Sequence, residues 1–274
     1  MESFSQINQD INVISFFNNK TDMYFIDIGA HDGKSFSNTF LLEKTYNWKG
    51  ICSEPLPSSF KKLTKCRNVI CDNSAVFSKS DLSLEFSVSD MLSGLTHCID
   101  RFEDVKKCNS IIIKTITLQS LLDNYNAPKI IHYFSLDTEG SELEILKSVD
   151  FSKYTFLYIN LEHNFIEPKR TEMKTLLLNN GYVFKGQNSF DDDYIHETTV
   201  IGTYYYQEDY TKPIIIKRQN KTDFSVSSPY WNNDIGTFNN GFLEWKILGK
   251  GKLFFTYIDY GNGNIWHRDN RKDR

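Results

Sequence analysis

The 274-residue chain sets 31 Lys and Arg against 35 Asp and Glu, a formal net charge of −4, and is 40% hydrophobic and 15% aromatic. This is enough apolar side chain to bury a full α/β core. The basic residues cluster only in the tail Arg268, Arg271, Lys272 and Arg274, so nucleic acid is excluded as a partner. No apolar run approaches the ~18 residues of a membrane span, and residues 1–10 lack a basic stretch followed by an apolar core. A soluble, cytoplasmic protein is expected, and the odd cysteine set (Cys52, Cys66, Cys71, Cys98, Cys108), with no CxxC pair, fits that reducing setting.

Strand and helix signals alternate from about residue 23 to 206, the order of a parallel sheet with helices on both faces. Short apolar runs predict strands at Tyr24–Ile28, 50–53, 68–71, Ile130–Leu136 and 156–161. Apolar residues at three- and four-residue spacing predict helices at 37–45, 58–65, 118–125, 142–148 and 170–179. Two further strands, 182–185 and 199–206, complete a seven-stranded set and flank an acidic loop, Asp191–Asp193, expected to be solvated. Polar and apolar residues alternate over 81–88, predicting an extra strand or hairpin, and residues 91–97 are placed over the site. The expected division is an α/β domain over 1–206 and a β-rich extension over 207–274, where glycines and three of the four tryptophans (Trp231, Trp245, Trp266) suggest short hairpins. Those rings suit either core packing or stacking on sugars, and the extension also suits contacts in a homo-oligomer.

The strongest local signal is the apolar strand that enters Asp27-Ile28-Gly29-Ala30-His31-Asp32-Gly33-Lys34-Ser35. Gly29 and Gly33 remove Cβ atoms where a ligand must come close, and Asp27 offers a carboxylate to an ammonium or hydroxyl. The spacing is Gly-x-x-x-Gly, not the Gly-x-Gly-x-x-Gly that cradles a pyrophosphate, which favours a cofactor without phosphate such as S-adenosylmethionine. A tight strand-to-helix turn with no ligand is the alternative. Glu54 and Pro55 follow the second strand, where a carboxylate reaches ribose hydroxyls. Asp72, Asn73 and Ser74 follow the third and suit an adenine edge, though such residues also simply make turns. Asp137, Glu139 and Glu142 follow the fourth strand, and Glu162 and His163 end the fifth on the same sheet edge. There they can hold a divalent cation, or His163 or Glu139 can take a proton from a substrate hydroxyl. The alternative has Glu139 or Glu142 capping a helix and His163 in a structural role.

Together these motifs resemble the FkbM family of methyltransferases, over roughly residues 23–206. The resemblance implies a class I methyltransferase (Rossmann-like) fold with a seven-stranded mostly parallel sheet, S-adenosyl-L-methionine as cofactor, and O-methylation of sugar, polyketide or related hydroxyls. It implies Asp27, Gly29, Ala30, His31, Gly33, Ser35, Glu54, Pro55, Asp72, Asn73 and Ser74 as cofactor-binding residues, and His163, Asp137 and Glu139 as catalytic. Related macrolide-sugar enzymes carry a divalent metal, which makes Asp137, Glu162 and His163 the expected ligands here for Mg, Mn or Fe. The leading acceptor is a sugar, nucleotide-activated or in a surface glycan. Rivals are a polyketide or lipid hydroxyl, which calls for an apolar pocket, and a glycan-binding module without turnover.

Overall fold

The structure, a computed structural model, describes residues 2–207, 209–229, 231–261 and 263–269, without the side chains of Trp231 and Asn232. The chain starts in a polar hook whose centre is the buried Asp10 carboxylate, which accepts from the Ser3 and Ser5 hydroxyls and from the Phe4 N–H. Helix α1 (Gln9–Phe16) buries Val13, Ile14 and Phe16. There follow β1 (Tyr24–Ile28), α2 (Phe40–Tyr46), β2 (Lys49–Ser53), α3 (Pro57–Cys66) and β3 (Ile70–Asp72). An excursion then forms a small four-stranded sheet from β4 (Ala75–Phe77), β5 (Ser83–Ser87), β6 (Gly94–Leu95) and β7 (Ser110–Thr117). The chain returns through α4 (Leu118–Asn124), β8 (Ile130–Leu136), α5 (Glu142–Leu146), β9 (Thr155–Glu162), α6 (Lys169–Asn179), β10 (Tyr182–Asn188) and β11 (Asp191–His196).

The main sheet has seven strands in the order β10-β11-β9-β8-β1-β2-β3. Pairing is parallel from β9 to β3, and β11 runs antiparallel to both its neighbours. Its central strands are apolar on both faces because helices and loops cover both. The chain winds outward from β1 to β3 on one side, then resumes on the other at β8. This leaves a crevice at the carboxyl ends of β1 and β8, where open α/β sheets bind ligands.

Two strand expectations are corrected. The seventh sheet strand is β11, which contains Asp191–Asp193, and the three carboxylates are buried rather than solvated. Each has a partner that offsets its desolvation. Gln9 donates to Asp191 at 2.9 Å, Arg170 to Asp192 at 2.6 Å, and Tyr158 and Asn160 to Asp193 at 2.6 and 2.9 Å. Partners that distant in sequence leave no local signal. The strand expected at 199–206 is β12 (Gly202–Tyr206), and it pairs outside the main sheet.

There it joins β13 (Pro213–Arg218), β14 (Asp223–Ser228), β15 (Trp231–Asn239), β16 (Phe242–Trp245), β17 (Gly249–Leu253), β18 (Tyr257–Asp259) and β19 (Ile265–Arg268). These strands close into a barrel, so the extension is more than a set of hairpins. Barrels of this strand number are just wide enough to be filled by side chains, and Phe224, Val226, Leu243, Trp245, Ile258 and Trp266 are buried. Trp245 donates its indole N–H to the Tyr260 hydroxyl at 2.7 Å. Trp245 and Trp266 are therefore core residues and not sugar platforms. The Trp231 ring and tail residues Arg271, Lys272 and Arg274 lie outside the described residues. Among the described residues no helix is long and apolar enough to cross a membrane.

The barrel is continuous with the α/β core. Buried residues of α1, β1, β8 and the barrel strands form one apolar cluster, the Phe255 ring lies 5.1 Å from that of Phe17, and the Phe255 N–H donates to the Phe16 carbonyl at 2.9 Å. Truncating the fully buried Phe224 to Ala should therefore destabilise by about 3–5 kcal/mol and lower the midpoint of the main urea transition. A separate low-urea transition with the far-UV signal of the α/β part unmoved would show that the barrel unfolds on its own.

Candidate cofactor and carboxylate site

The crevice is a cavity of about 290 Å³. Its floor is the loop after β1. Gly29 takes φ +91°, and a Cβ there would lie 1.7 Å from the Asp137 carbonyl oxygen. Gly33 takes φ +81°, and its Cβ would press on Leu63 and Arg67. Both glycines thus serve the close packing of the loop on its neighbours. Gly29 also lines the cavity with Ala30, His31 and Ser35, whereas Gly33 lies behind it. The Gly29 and Ala30 N–H groups both donate to the Ser53 carbonyl at 3.0 Å, which ties the loop to β2.

Asp27 is buried on β1 and lines the cavity. Burial pushes its carboxyl above the ordinary range, while Arg67 and hydrogen bonds from the Thr39 and Ser135 hydroxyls pull the other way. Glu54 accepts the His31 N–H at 2.9 Å on one oxygen and the Leu56 N–H at 2.7 Å on the other, so its carboxylate is fixed at the cavity wall. Burial raises its pKa as well. Pro55 lines the cavity beside it. Asp72, Asn73 and Ser74 do not. Asp72 accepts from Ser74 N–H and the Tyr125 hydroxyl at 2.8 Å each, the Ser74 carbonyl accepts from Ser53, and Ala75 and Val76 form that wall instead. The polar groups of Asp72 and Ser74 are spent on turn and side-chain hydrogen bonds inside the protein, and Asn73 is exposed.

Over the opposite rim lies the segment between β5 and β6, where Asp90, Met91, Leu92 and Ser93 line the cavity. His31 Nε2 lies 3.1 Å from Asp90 Oδ1 and joins this segment to the glycine loop.

At the ends of β8 and β9 three carboxylates converge. Asp137, Glu139 and Glu162 each present an oxygen, all within 4.8 Å of one another. Burial and mutual repulsion raise all three above the ordinary carboxylate range, and Asp137 and Glu162 share a hydrogen bond. Glu142 is spent otherwise: one oxygen accepts from Thr138 N–H, Thr138 hydroxyl and Gly140 N–H at 2.8–3.0 Å, holding the turn that aims Glu139 inward.

His163 does not join them. It follows the last residue of β9, and its ring is directed at Asp192 and not at the three carboxylates. His163 Nδ1 accepts the Phe165 N–H at 2.9 Å, which puts the proton of a neutral ring on Nε2, 3.4 Å from Asp192 Oδ1. Burial would raise the Asp192 carboxyl, but interactions with His163 and Arg170 hold it below the ordinary range. His163 Nε2 is buried without a hydrogen-bond partner, and the oxygens that converge in the cavity are those of Asp137, Glu162 and Glu139, with Glu139 in the place expected of His163.

Several lining residues carry no motif: Gln6, Gln9, Phe36, Asn38, Arg101, Ser135, Asn164 and Phe190. Of these, Ser135 leaves a sequence trace, a hydroxyl in β8 two residues before Asp137. The cavity's charge is one-sided, with Asp27, Glu54, Asp90, Asp137, Glu139 and Glu162 facing it and Arg101 the sole Lys or Arg among the described residues that line it. Such a wall suits a cationic ligand, and the sulfonium and ammonium of S-adenosylmethionine are both cations.

The strand order, the glycine loop and the carboxylate after β2 are those of a class I methyltransferase-like protein. The sequence matches the methyltransferase FkbM domain over residues 27–184, and the chain belongs to that family, which implies use of S-adenosylmethionine. Solved structures similar to it include an FkbM methyltransferase from Methylobacillus flagellatus, 13% identical with a TM-score of 0.44, covering 64% of this chain and 44% of that one. Another is a precorrin-6y C5,15-methyltransferase from Geobacter metallireducens, 14% identical with a TM-score of 0.39, covering 68% of this chain and 87% of that one. The chain thus spans less than half the length of the Methylobacillus protein. No curated protein matches it.

The two glutamate and histidine assignments are separable by binding. Glu54→Gln should weaken S-adenosylhomocysteine by about tenfold or more, the worth of a charge-assisted hydrogen bond. His163→Gln should lower thermal stability yet leave that affinity within about threefold. Calorimetry on both variants decides, and a larger loss at His163 than at Glu54 would contradict this geometry.

Proposed function

We propose that this methyltransferase alkylates a hydroxyl oxygen of a sugar, free, nucleotide-activated or within a glycan, and that Asp137, Glu139 and Glu162 serve the acceptor end of the reaction. The convergence of those three carboxylates on the wall of the cofactor cavity carries the reading. Methyl transfer from a sulfonium is an in-line displacement, so the protein must align the acceptor oxygen and remove its proton. A carboxylate whose pKa lies above the ordinary range is a stronger base than an exposed one, and burial with like charges nearby puts all three there.

The donor set also fits a divalent cation such as Mg or Mn, since three hard carboxylate oxygens can close on one ion. An ion held there would supply Lewis acidity to the acceptor hydroxyl. In either case one carboxylate or its equivalent receives the proton, Glu54 orients the cofactor ribose, and the segment carrying Asp90–Leu92 excludes water. The polar side chains of Gln6, Gln9, Ser93, Arg101 and Asn164, with Phe36, Phe102 and Phe190 among them, support a hydroxyl-rich acceptor over an apolar polyketide or lipid.

The test is calorimetric titration of chelator-treated protein with S-adenosylhomocysteine, repeated with Mn²⁺, followed by mass spectrometry of a nucleotide-sugar panel incubated with S-adenosylmethionine. Binding of the cofactor product and a mass increase of one methyl group on a sugar support the reading. No binding with or without metal would sink it.

The carboxylate cluster also sets a pH dependence. The folded-state pKa values are raised above the unfolded ones, so the native state binds more protons and stability falls as pH rises above the ordinary carboxylate range. The melting temperature of metal-free protein should drop between about pH 5.5 and about pH 8, and Mn²⁺ should restore more at the higher pH. Asp137→Asn should flatten both trends, and a melting profile indifferent to that substitution contradicts the cluster's role.

A further inference from the structure

Asn38 lies just before α2 and is 8% exposed, on the cavity wall. Its Nδ2 donates to Ser135 Oγ at 3.0 Å. The Ser135 hydroxyl also faces the Asp27 carboxylate, to which it can donate its one proton. In that arrangement Ser135 accepts from Asn38, so the amide NH₂ faces Ser135 and Oδ1 turns away. That Oδ1 is buried without a hydrogen-bond partner in the protein. An unsatisfied buried acceptor costs about 1–3 kcal/mol, and native proteins keep few of them. A donor on a bound ligand would satisfy it from the cavity side.

The position on the sheet edge identifies the donor. Glu54 follows β2 and marks the ribose end of the cofactor. Moving along the edge, β1 brings Asp27 and Gly29, and β8 brings Ser135, paired in register with Asp27. A cofactor with its ribose on Glu54 and its base against the apolar wall of Ala75 and Val76 would extend its amino-acid tail the other way, toward β1, β8 and Asn38. That tail carries an ammonium, which donates, and a carboxylate, which accepts. With Asp27 behind the amide, negative charge is repelled and the ammonium is favoured.

We infer that Asn38 Oδ1 receives the α-ammonium of S-adenosylmethionine, making the Asn38–Ser135–Asp27 chain the device that selects a cofactor with an intact amino group. The inference rests on the cofactor reading of this cavity and deepens it. An amide is suited to this position because it offers an acceptor without adding a further buried charge to a wall already rich in carboxylates.

The test compares S-adenosylhomocysteine with its deamino analogue by calorimetry, on wild type, Asn38→Ala and Asn38→Asp. Wild type should prefer the amine, and in Asn38→Ala that preference should shrink by about tenfold while affinity for the deamino analogue holds. Asn38→Asp should bind S-adenosylhomocysteine at least as tightly as wild type, since a carboxylate accepts from an ammonium. An unchanged preference in Asn38→Ala overturns the inference. So does a tenfold or greater loss in Asn38→Asp, which would mean that no cationic group of the cofactor faces this position, and this variant decides even where the alanine one fails to fold. Wild-type protein that binds neither compound refutes the cofactor reading instead.

Discussion

The buried guanidinium of Arg67 holds the cofactor half of this site together. Arg67 is 5% exposed at the end of α3. It pairs with Glu43 on α2 and donates to the Gly33 carbonyl, the Ser37 hydroxyl and the Thr39 hydroxyl. Thr39 then donates to Asp27. One cation thus fixes the glycine loop, the entry to α2 and, through a hydroxyl, the carboxylate at the end of β1. A buried charge is tolerated only when paired and hydrogen-bonded, and its planar fork of donors reaches several acceptors at fixed angles. Glu43 completes the neutralisation: burial would raise its pKa, but Lys44 and Arg67 hold it below the ordinary range. The loop that would cradle the cofactor is therefore shaped in advance of any ligand.

The other half of the cavity is built on opposite electrostatics. Around Arg67 charges are matched, whereas Asp137, Glu139 and Glu162 are three like groups with no cation bound to them by an ion pair among the described residues. Their mutual repulsion is a cost the fold carries. Buried like-charge groups with displaced pKa values mark functional sites more often than structural ones. The turn that presents Glu139, with the residue at φ +57° and Gly140 at φ +122°, is held by Glu142 alone among the nearby acids. One carboxylate is spent on geometry so that its neighbours can face the cavity.

Much of this is legible in the sequence because it depends on local order. The alternation of strands and helices implies the parallel sheet, the spacing of Gly29 and Gly33 argues against a dinucleotide, and the placing of Glu54 and Asp137 after their strands puts both at the crevice. What is not legible depends on pairings distant in sequence. Asp191–Asp193 has the composition of a solvated loop, and its burial follows from Gln9, Arg170, Tyr158 and Asn160, residues up to 182 positions away. The closure of the C-terminal strands into a barrel is likewise a matter of β12 meeting β19. His163 is a different case. It lies one residue past the end of β9, and its ring is directed at Asp192, a residue of another strand.

The barrel and the N-terminal hook then bear on the site through α1. Residues 1–26 precede the span matched by the family, yet Gln6 and Gln9 line the cavity and Gln9 holds Asp191, whose carboxyl is raised by burial and by the nearby Asp137. The position of those glutamines depends on α1, and α1 is held from behind by Phe255 of the barrel against Phe16 and Phe17. Packed interiors transmit displacements because they have few voids to absorb them. The barrel, though its own interior is filled, thereby helps set the wall that an acceptor would meet. That gives a filled barrel a physical reason to be fused to the α/β domain: it backs the helix whose first residue, Gln9, lines the cavity.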